Sequence, residues 1–298
     1  IMLAPIEEIF CEIDDFCKEF YQKGLKYLLP NLNRKRNRYC RMSSSEIMTI
    51  LILFHLSHYR TFKDFYHECV IKYLKCYFPD LVSYNRFLEL KSFVIPILAM
   101  YMKHKSGTET GMYYIDSTTL KVCRNQRIHN HKVFDKIAKR GKSSMGWFFG
   151  FKLHLVINTC GEIMSFCLTP GNVDDRKPME SLFKNLKGTA CGDKGYISKN
   201  KTQSLYEKGL NFVTKTKANM KKIVRTNFEK YLLAQRAIVE TVIEQLKSIC
   251  LIEHSRHRKP DNFLANTLSA LVAYMLKPRK PSINQRFLMD NSLALTSS

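Results

Sequence analysis

The chain has 298 residues, 45% of them hydrophobic, and sets 48 Lys and Arg against 26 Asp and Glu for a formal net charge of +22. That apolar share excludes a wholly disordered polymer, and the length suffices for one large domain or two modest ones with a proper core. A positive excess of this size repels itself in a compact state and points to a polyanionic partner, nucleic acid ahead of an anionic membrane surface.

The N-terminal "IMLAPIEEIFCEIDDFC" is acidic and amphipathic and has no basic n-region, which argues against a secretory signal. Apolar residues at Ile6, Ile9, Phe10, Ile13, Phe16, Cys17 and Phe20 share one helical face. In "RMSSSEIMTILILFHLS", Ser43 is an N-cap candidate, with Glu46 completing a capping box. The apolar run after it is too short to span a bilayer, so no membrane partner is expected. "TFKDFYHECVIKYLKCYF" reads as a third helix stopped by Pro79. "SYNRFLELKSFVIPILAMYMKH" reads as a fourth, with Ser83 as a cap and Pro96 as a kink or break. Short helices ending in Ser-Tyr-Asn-Arg are compatible with a helix-turn-helix, and equally with plain helical scaffolding. His55 and His58 are read as packing or surface residues. A boundary falls at the polar, glycine-bearing "KHKSGTETG".

Beyond that point the grammar changes. "MYYIDSTTLKVC" is a strand, and "WFFGFKLHLVINTCGEIMSFCLTPGN" gives two more joined by a turn at Gly161. "DRKPMESLFKNL" is a short helix, "TACGDKGYIS" a brief strand, and "NKTQSLYEKG" a helix closed by Gly209. "NFVTKTK" is a strand and "FEKYLLAQRAIVETVIEQLKSICLI" one long helix, followed by an apolar helix "NFLANTLSALVAYML". The predicted organisation is an all-helical region over 1–105, an α/β domain with a mixed sheet and flanking helices over 110–255, and a C-terminal helix with a tail over 256–298. The ten cysteines include no CxxC pair, and several lie in apolar runs, which fits free thiols in a reducing cytoplasm.

Three carboxylates stand out. Asp116 interrupts the apolar first strand, Asp193 follows the fourth in the glycine-flanked "CGDKGY", and Glu240 sits on the long helix. If the first and fourth strands are neighbours, Asp116 and Asp193 come within reach of one cation at the ends where ligands gather in open α/β sheets. Gly192 and Gly195 would let the backbone turn sharply beside Asp193. Carboxylates clustered without a cation repel one another, and magnesium takes oxygen ligands from a few carboxylates plus substrate phosphate. Each has a plainer reading: Asp116 as a turn or solvent-facing residue, Asp193 as a turn residue, and Glu240 paired with Arg236 one helical turn away. The residues alone leave both readings open.

"YYIDSTTLKVCRNQRIHNHKVFDKIAKRGKSSMGWFFGFKLHLVIN", "GDKGYIS" and "RAIVETVIEQLK", in that order, resemble the transposases of bacterial insertion sequences, the IS982 group in particular, within the acidic-triad enzymes of ribonuclease H-like core. The likeness runs from about residue 5 to 285. It implies a ribonuclease H-like catalytic domain with Asp116, Asp193 and Glu240 as catalytic and metal-holding residues. It also assigns Arg236 and Lys247 to the last signature, in which Leu233 stands where related groups carry tyrosine. The implied reaction is cleavage at a transposon end to give a free 3′-OH, which then attacks target DNA. Two Mg²⁺ ions, with Mn²⁺ as an alternative, are the implied cofactors. The implied partners are double-stranded DNA at terminal inverted repeats and target, and a second copy of the chain, in the bacterial cytoplasm at the nucleoid. The alternatives are a nuclease or resolvase of the same core that cuts without strand transfer, and a non-enzymatic DNA-binding repressor or inactive remnant.

Two basic runs flank the acidic residues. Lys121, Arg124, Arg127, Lys132, Lys136, Lys139, Arg140 and Lys142 are opposed only by Asp135, and Lys215, Lys217, Lys221, Lys222, Arg225 and Lys230 form the second. Both suit DNA phosphates, as Arg236 and Lys247 do, and His129 and His131 within the first run are expected to face phosphate or hydrogen-bond there. Trp147 and Phe148 are read as core residues rather than base-stacking ones. His254 and His257 with Cys250 give too few ligands for a zinc site.

Overall fold

A computed structural model of the chain describes residues 6–24, 40–216, 220, 224–253 and 257–283. They divide into two compact units, 1–105 with 246–278 and 106–245 with 279–298. Among the described residues no helix is long and apolar enough to cross a membrane.

In the first unit, α1 (Ile6–Gly24) buries Ile9, Ile13 and Cys17 at the expected helical spacing. α2 (Ser44–Leu56) begins with the predicted capping box: Ser43 Oγ accepts from the Glu46 N–H at 3.1 Å, and Glu46 Oε2 accepts from the Ser43 N–H at 2.6 Å. Ser45 and every residue from Ile47 to His55 are buried, so it is a central helix rather than an amphipathic surface one. His55 is inside, with Nδ1 2.6 Å from the Cys250 carbonyl, and His58 is exposed. The single helix expected next is shorter and irregular. α3 (Phe62–Asp64) passes through a π-helical segment, Phe65–Val70, into α4 (Ile71–Tyr73), and the helix ends well before Pro79. Widening the turn brings the consecutive Phe65 and Tyr66 both inward, which a regular 3.6-residue period does not allow as readily. α5 (Tyr84–Leu90) is capped by Ser83 and ends in a 3₁₀ turn, Lys91–Val94. Pro96 lies in the first turn of α6 (Ile95–His104), where its missing N–H costs no bond, so the chain breaks there as expected.

The second unit is built on β1 (Met112–Cys123), β2 (Lys139–Ser143), β3 (Gly146–Asn158) and β4 (Ile163–Pro170), then α7 (Met179–Leu182), β5 (Gly188–Gly192), α8 (Lys199–Glu207), β6 (Leu210–Thr214), α9 (Asn227–Ala234) and α10 (Ala237–Ser248). The six strands run in the order β2-β3-β1-β5-β6, with β4 also on β3. β2 takes Gly146–Gly150 of β3 and β4 takes Phe151–Ile157. β1 is antiparallel to β3 and parallel to β5, which is parallel to β6, so this is an α/β fold with a mixed sheet. One face carries a core of Tyr113, Ile115, Val156, Leu182, Phe183, Leu205 and Phe212, closed by α7 and α8. Gly161 makes the β3–β4 turn at φ 67°. β1 bulges between Lys121 and Cys123, and β3 passes that point as Gly150, whose Cβ would meet the Leu120 carbonyl oxygen at 2.1 Å.

Two expectations are corrected. β2 lies in what reads as a basic loop; "KRGKS" has no apolar alternation and is held by its backbone pairing to β3. The long helix is two, α9 and α10, separated at Gln235–Arg236, with α9 opened by a Thr226–Glu229 capping box. The last helix, α11 (Pro260–Met275), clusters with the first unit; it is buried at nearly every position from Phe263 to Met275 and packs on α2 and α6.

Candidate active site

β1 and β5 run side by side in parallel with Tyr114 opposite Cys191. Two residues further along each chain are Asp116 and Asp193, so strand periodicity sends both toward the same face of the sheet. That face is opposite the one carrying Tyr113 and Ile115. Gly192 is needed just before Asp193, because a Cβ there would stand 2.8 Å from the Phe212 ring and 3.0 Å from Ile115 Cγ2. Gly195 has open space around it and neither glycine takes a positive φ, so the chain turns here without needing glycine's left-handed conformation; tight packing at Gly192 is the operative constraint. Asp193 itself begins a 3₁₀ turn, its carbonyl accepting from the Tyr196 N–H at 3.0 Å.

The break before α10 delivers Arg236 and Glu240. Arg236 Nη2 donates to Glu240 Oε1 at 2.5 Å, and Nη1 stands 3.8 Å from Asp116 Oδ2. The plain helical pair is therefore present, and its guanidinium is shared with the strand aspartate. Asp116 Oδ1 also accepts from the Ser117 N–H at 2.8 Å. Burial pushes the Asp116 carboxyl up to about 6; Ser117 and Arg236 oppose the shift, and the charges of Glu240 and Asp193 add to it. The carboxylate thus sits in the field of the other two acidic residues, with one arginine partly offsetting it.

Such a donor set suits a hard divalent cation: oxygen ligands only, one of them mostly desolvated and short of positive charge. Among the described residues no three His, Cys, Asp or Glu side chains stand close enough to hold an ion as they are. The Arg236 guanidinium is the positive charge now shared by Asp116 and Glu240.

Several groups nearby carry no role in the sequence reading. Tyr196, 2% exposed, has its phenol held well above the usual range by burial first and the Asp116 charge next, so it stays protonated. Lys152 Nζ donates to Asp175 Oδ1 and to the Val173 carbonyl, each at 2.9 Å, tying the loop after β4 to the sheet. His154, fully buried, pairs its Nε2 with Thr169 Oγ1 at 2.9 Å, and burial lowers its pKa to about 4. Tyr196 stands in the "GDKGY" motif and is legible as a neighbour of Asp193; the Lys152–Asp175 pair has no local signal.

The first basic run is on the outside. Lys121, Arg124, Arg127, His129, Lys132, Lys139, Arg140 and Lys142 are all exposed, as is Lys215 beyond β6. His131 is turned inward instead, its ring stacked on Phe134 at 5.6 Å with an interplanar angle of 2°, and its Nε2 buried. Lys247 is half-buried and ion-paired with Glu253 at 3.1 Å. Lys217, Lys221, Lys222 and His254 lie outside the described residues. Phe148 is core at 1% exposure, but Trp147, expected beside it in the core, is 52% exposed with Arg140 over its ring at 4.9 Å.

The order β4-β3-β1-β5-β6, three antiparallel strands followed by two parallel ones, with acidic residues on the central pair and on a following helix, is a ribonuclease H-like arrangement. A family model described as a transposase DDE domain matches residues 106–260, just over half of the chain, and the chain belongs to that family: it is a transposase. Among solved structures, the piggyBac transposase in a synaptic complex with hairpin DNA is similar over 97% of this chain and 78% of its own, at 12% identity and a TM-score of 0.51, a likeness of fold. The mariner Mos1 paired-end complex with Mg aligns over 88% of this chain and 85% of its own at 12% identity; its TM-score of 0.22 carries no argument. No curated protein matches the chain in sequence.

Proposed function

We propose that the chain acts on the terminal inverted repeats of a bacterial insertion sequence of the IS982 group, cutting the element's DNA ends and joining the freed 3′-OH to target DNA. The observation that carries this reading is Asp116, a desolvated carboxylate in the field of Glu240 and Asp193, with Arg236 as its sole cationic neighbour among the described ion pairs. Asp116, Asp193 and Glu240 would hold Mg²⁺, or Mn²⁺ in its place, two ions to a site. Bound there, the metal would supply Lewis-acid polarisation of the phosphodiester and a lowered pKa for the attacking hydroxyl. Arg236 would then be released from Asp116 toward a DNA phosphate. Tyr196, buried and neutral, lies in the field of Asp116 without adding charge of its own.

The exposed cations from Lys121 to Lys142, which run from the end of the Asp116 strand through the segment after it to the β2–β3 hairpin, hold the duplex by its backbone. The helical region over 1–105 would bind the element's ends, and two copies of the chain would handle two ends together. Acting on chromosomal DNA, the protein would reside in the bacterial cytoplasm at the nucleoid.

A strand-transfer assay with Mg²⁺ and a labelled terminal repeat tests this. Joined product is expected from the parent, and neither cut nor joined product from D116N or E240Q, with DNA binding retained in both. Cutting without joining in the parent would make the chain a nuclease or resolvase, and cleavage retained in D116N would remove Asp116 from the chemistry.

A further inference from the structure

The helical unit contains a cavity of about 850 Å³ between the end of α2, the start of α3, α5 and α11. Ligand sites are commonly of this size, and it is far more room than an inorganic anion fills. None of its lining residues belongs to the acidic site, so the cavity is independent of the catalytic reading.

Its chemistry is one-sided. Among the described residues four cationic side chains, Arg60, Lys63, Lys91 and Arg258, line it against one carboxylate, Glu253, and that carboxylate is engaged by Lys247 at 3.1 Å. Lys91 is 2% exposed, and among the described residues no acidic side chain pairs with it; its ammonium rests over the Phe62 ring at 4.3 Å from the centroid. A buried ammonium without a counterion is expensive, and a fold retains one only where something offsets the cost. Burial alone brings the Lys91 pKa down to about 7. Burial first, and the Lys91 charge as well, hold the imidazoles of His55 and His257 down to about 4 and about 3, so both are neutral and neither adds charge beside Lys91.

Unpartnered hydrogen-bonding groups also line it. Asn266 is 4% exposed, faces the cavity, and has an amide nitrogen with no acceptor. Rings make the walls: Phe54 meets Phe62 edge-on at 5.3 Å, and Tyr84 stands 6.3 Å from Phe62. At the mouth, Arg60, Lys63 and Arg258 are exposed. Among the described residues the cavity thus has Lys91 and the Asn266 amide as donors without acceptors, beside Glu253 Oε1 and His257 Nε2, which likewise have no hydrogen-bond partner, with flat apolar sides and a cationic rim.

We propose that this cavity binds a single nucleotide, with the acceptor edge of its base on Lys91 and Asn266, its ring against the aromatic wall, and its phosphate at the rim cations. The N7 and O6 acceptors of guanine match the two donors, Lys91 and the Asn266 amide, and stacking on the rings accounts for the flat walls. A free nucleotide and an unpaired nucleotide protruding from a DNA strand present the same chemistry.

The test uses the full chain with divalent metal chelated, which silences the acidic site. Binding of a fluorescent dGMP analogue is measured for the parent, for K91M, and for the double variant K63A/R258A, whose exposed positions leave the fold undisturbed. The parent is expected to bind saturably, and both variants to bind about tenfold more weakly or worse. Competition by dGMP alone assigns the site to a free nucleotide; stronger competition by a duplex with one unpaired guanine than by the fully paired duplex assigns it to a DNA strand. Either supports the proposal. Absence of binding by both probes, binding unchanged in K63A/R258A, or displacement by inorganic phosphate at the same concentration as by dGMP overturns it.

Discussion

Asp116 holds its charge against its surroundings, and that has a measurable sign. Its folded pKa of about 6 lies above the unfolded value of 3.8, so the folded chain binds the extra proton between them. The stability it contributes is fully present below 3.8 and is lost as pH rises through 6, a cost at pH 7 of about 3 kcal/mol. In metal-free protein, D116N should therefore melt several degrees above the parent at pH 7, with the gap closing toward pH 4; a melting temperature unchanged at both pH values would place Asp116 outside that field. R236A should act in the opposite sense. It leaves Asp116 and Glu240 without their shared cation, at a cost of about 1 kcal/mol in chelator, and added Mg²⁺ should recover part of the loss. A variant that melts like the parent in chelator would show that the guanidinium contributes nothing there. The Arg236–Glu240 pair is legible as an i,i+4 spacing. The reach of the same arginine to Asp116 is not, because 120 positions separate them and only the sheet brings them together.

At the scale of elements, local chemistry is what the sequence announces. The Ser43–Glu46 cap, the Ser83 cap, the break at Pro96 and the turn at Gly161 each depend on a few adjacent residues, and each is where the pattern places it. The features without a sequence signal depend on distant partners. β2 is polar throughout and becomes a strand by pairing with β3; α9 and α10 part at Gln235 with neither glycine nor proline to mark the place. The β2–β3 pairing explains why Trp147 is not the core residue its apolar neighbours suggest. It sits opposite Lys142 on an edge strand, with Lys142 and Arg140 over its ring, rather than on the inner face beside Phe148. An exposed indole framed by cations is suited to contact with a nucleic acid. W147A should weaken DNA binding by about 1–3 kcal/mol while leaving the circular dichroism spectrum unchanged; equal affinity would reduce Trp147 to a cover for the two basic side chains.

For the whole molecule, charge and connectivity matter more than any one contact. If roughly six of the exposed cations between Lys121 and Lys142 reach phosphates, the logarithm of the DNA binding constant should fall against that of salt concentration with a slope near −5. A slope close to zero would mean that this surface does not meet DNA. Composition makes the partner class legible at once and the polar "KHKSGTETG" marks the division after Lys105, whereas no local feature of α11 says which core it will join. That membership has a consequence for synthesis. Residues 6–104 leave the ribosome while their closing helix, 260–275, is still unmade, and α2 and α6 lack the neighbour that covers them until more than 150 further residues have been translated. The nascent helical segment must wait, with apolar sides uncovered, for the catalytic stretch to emerge before its own core can close.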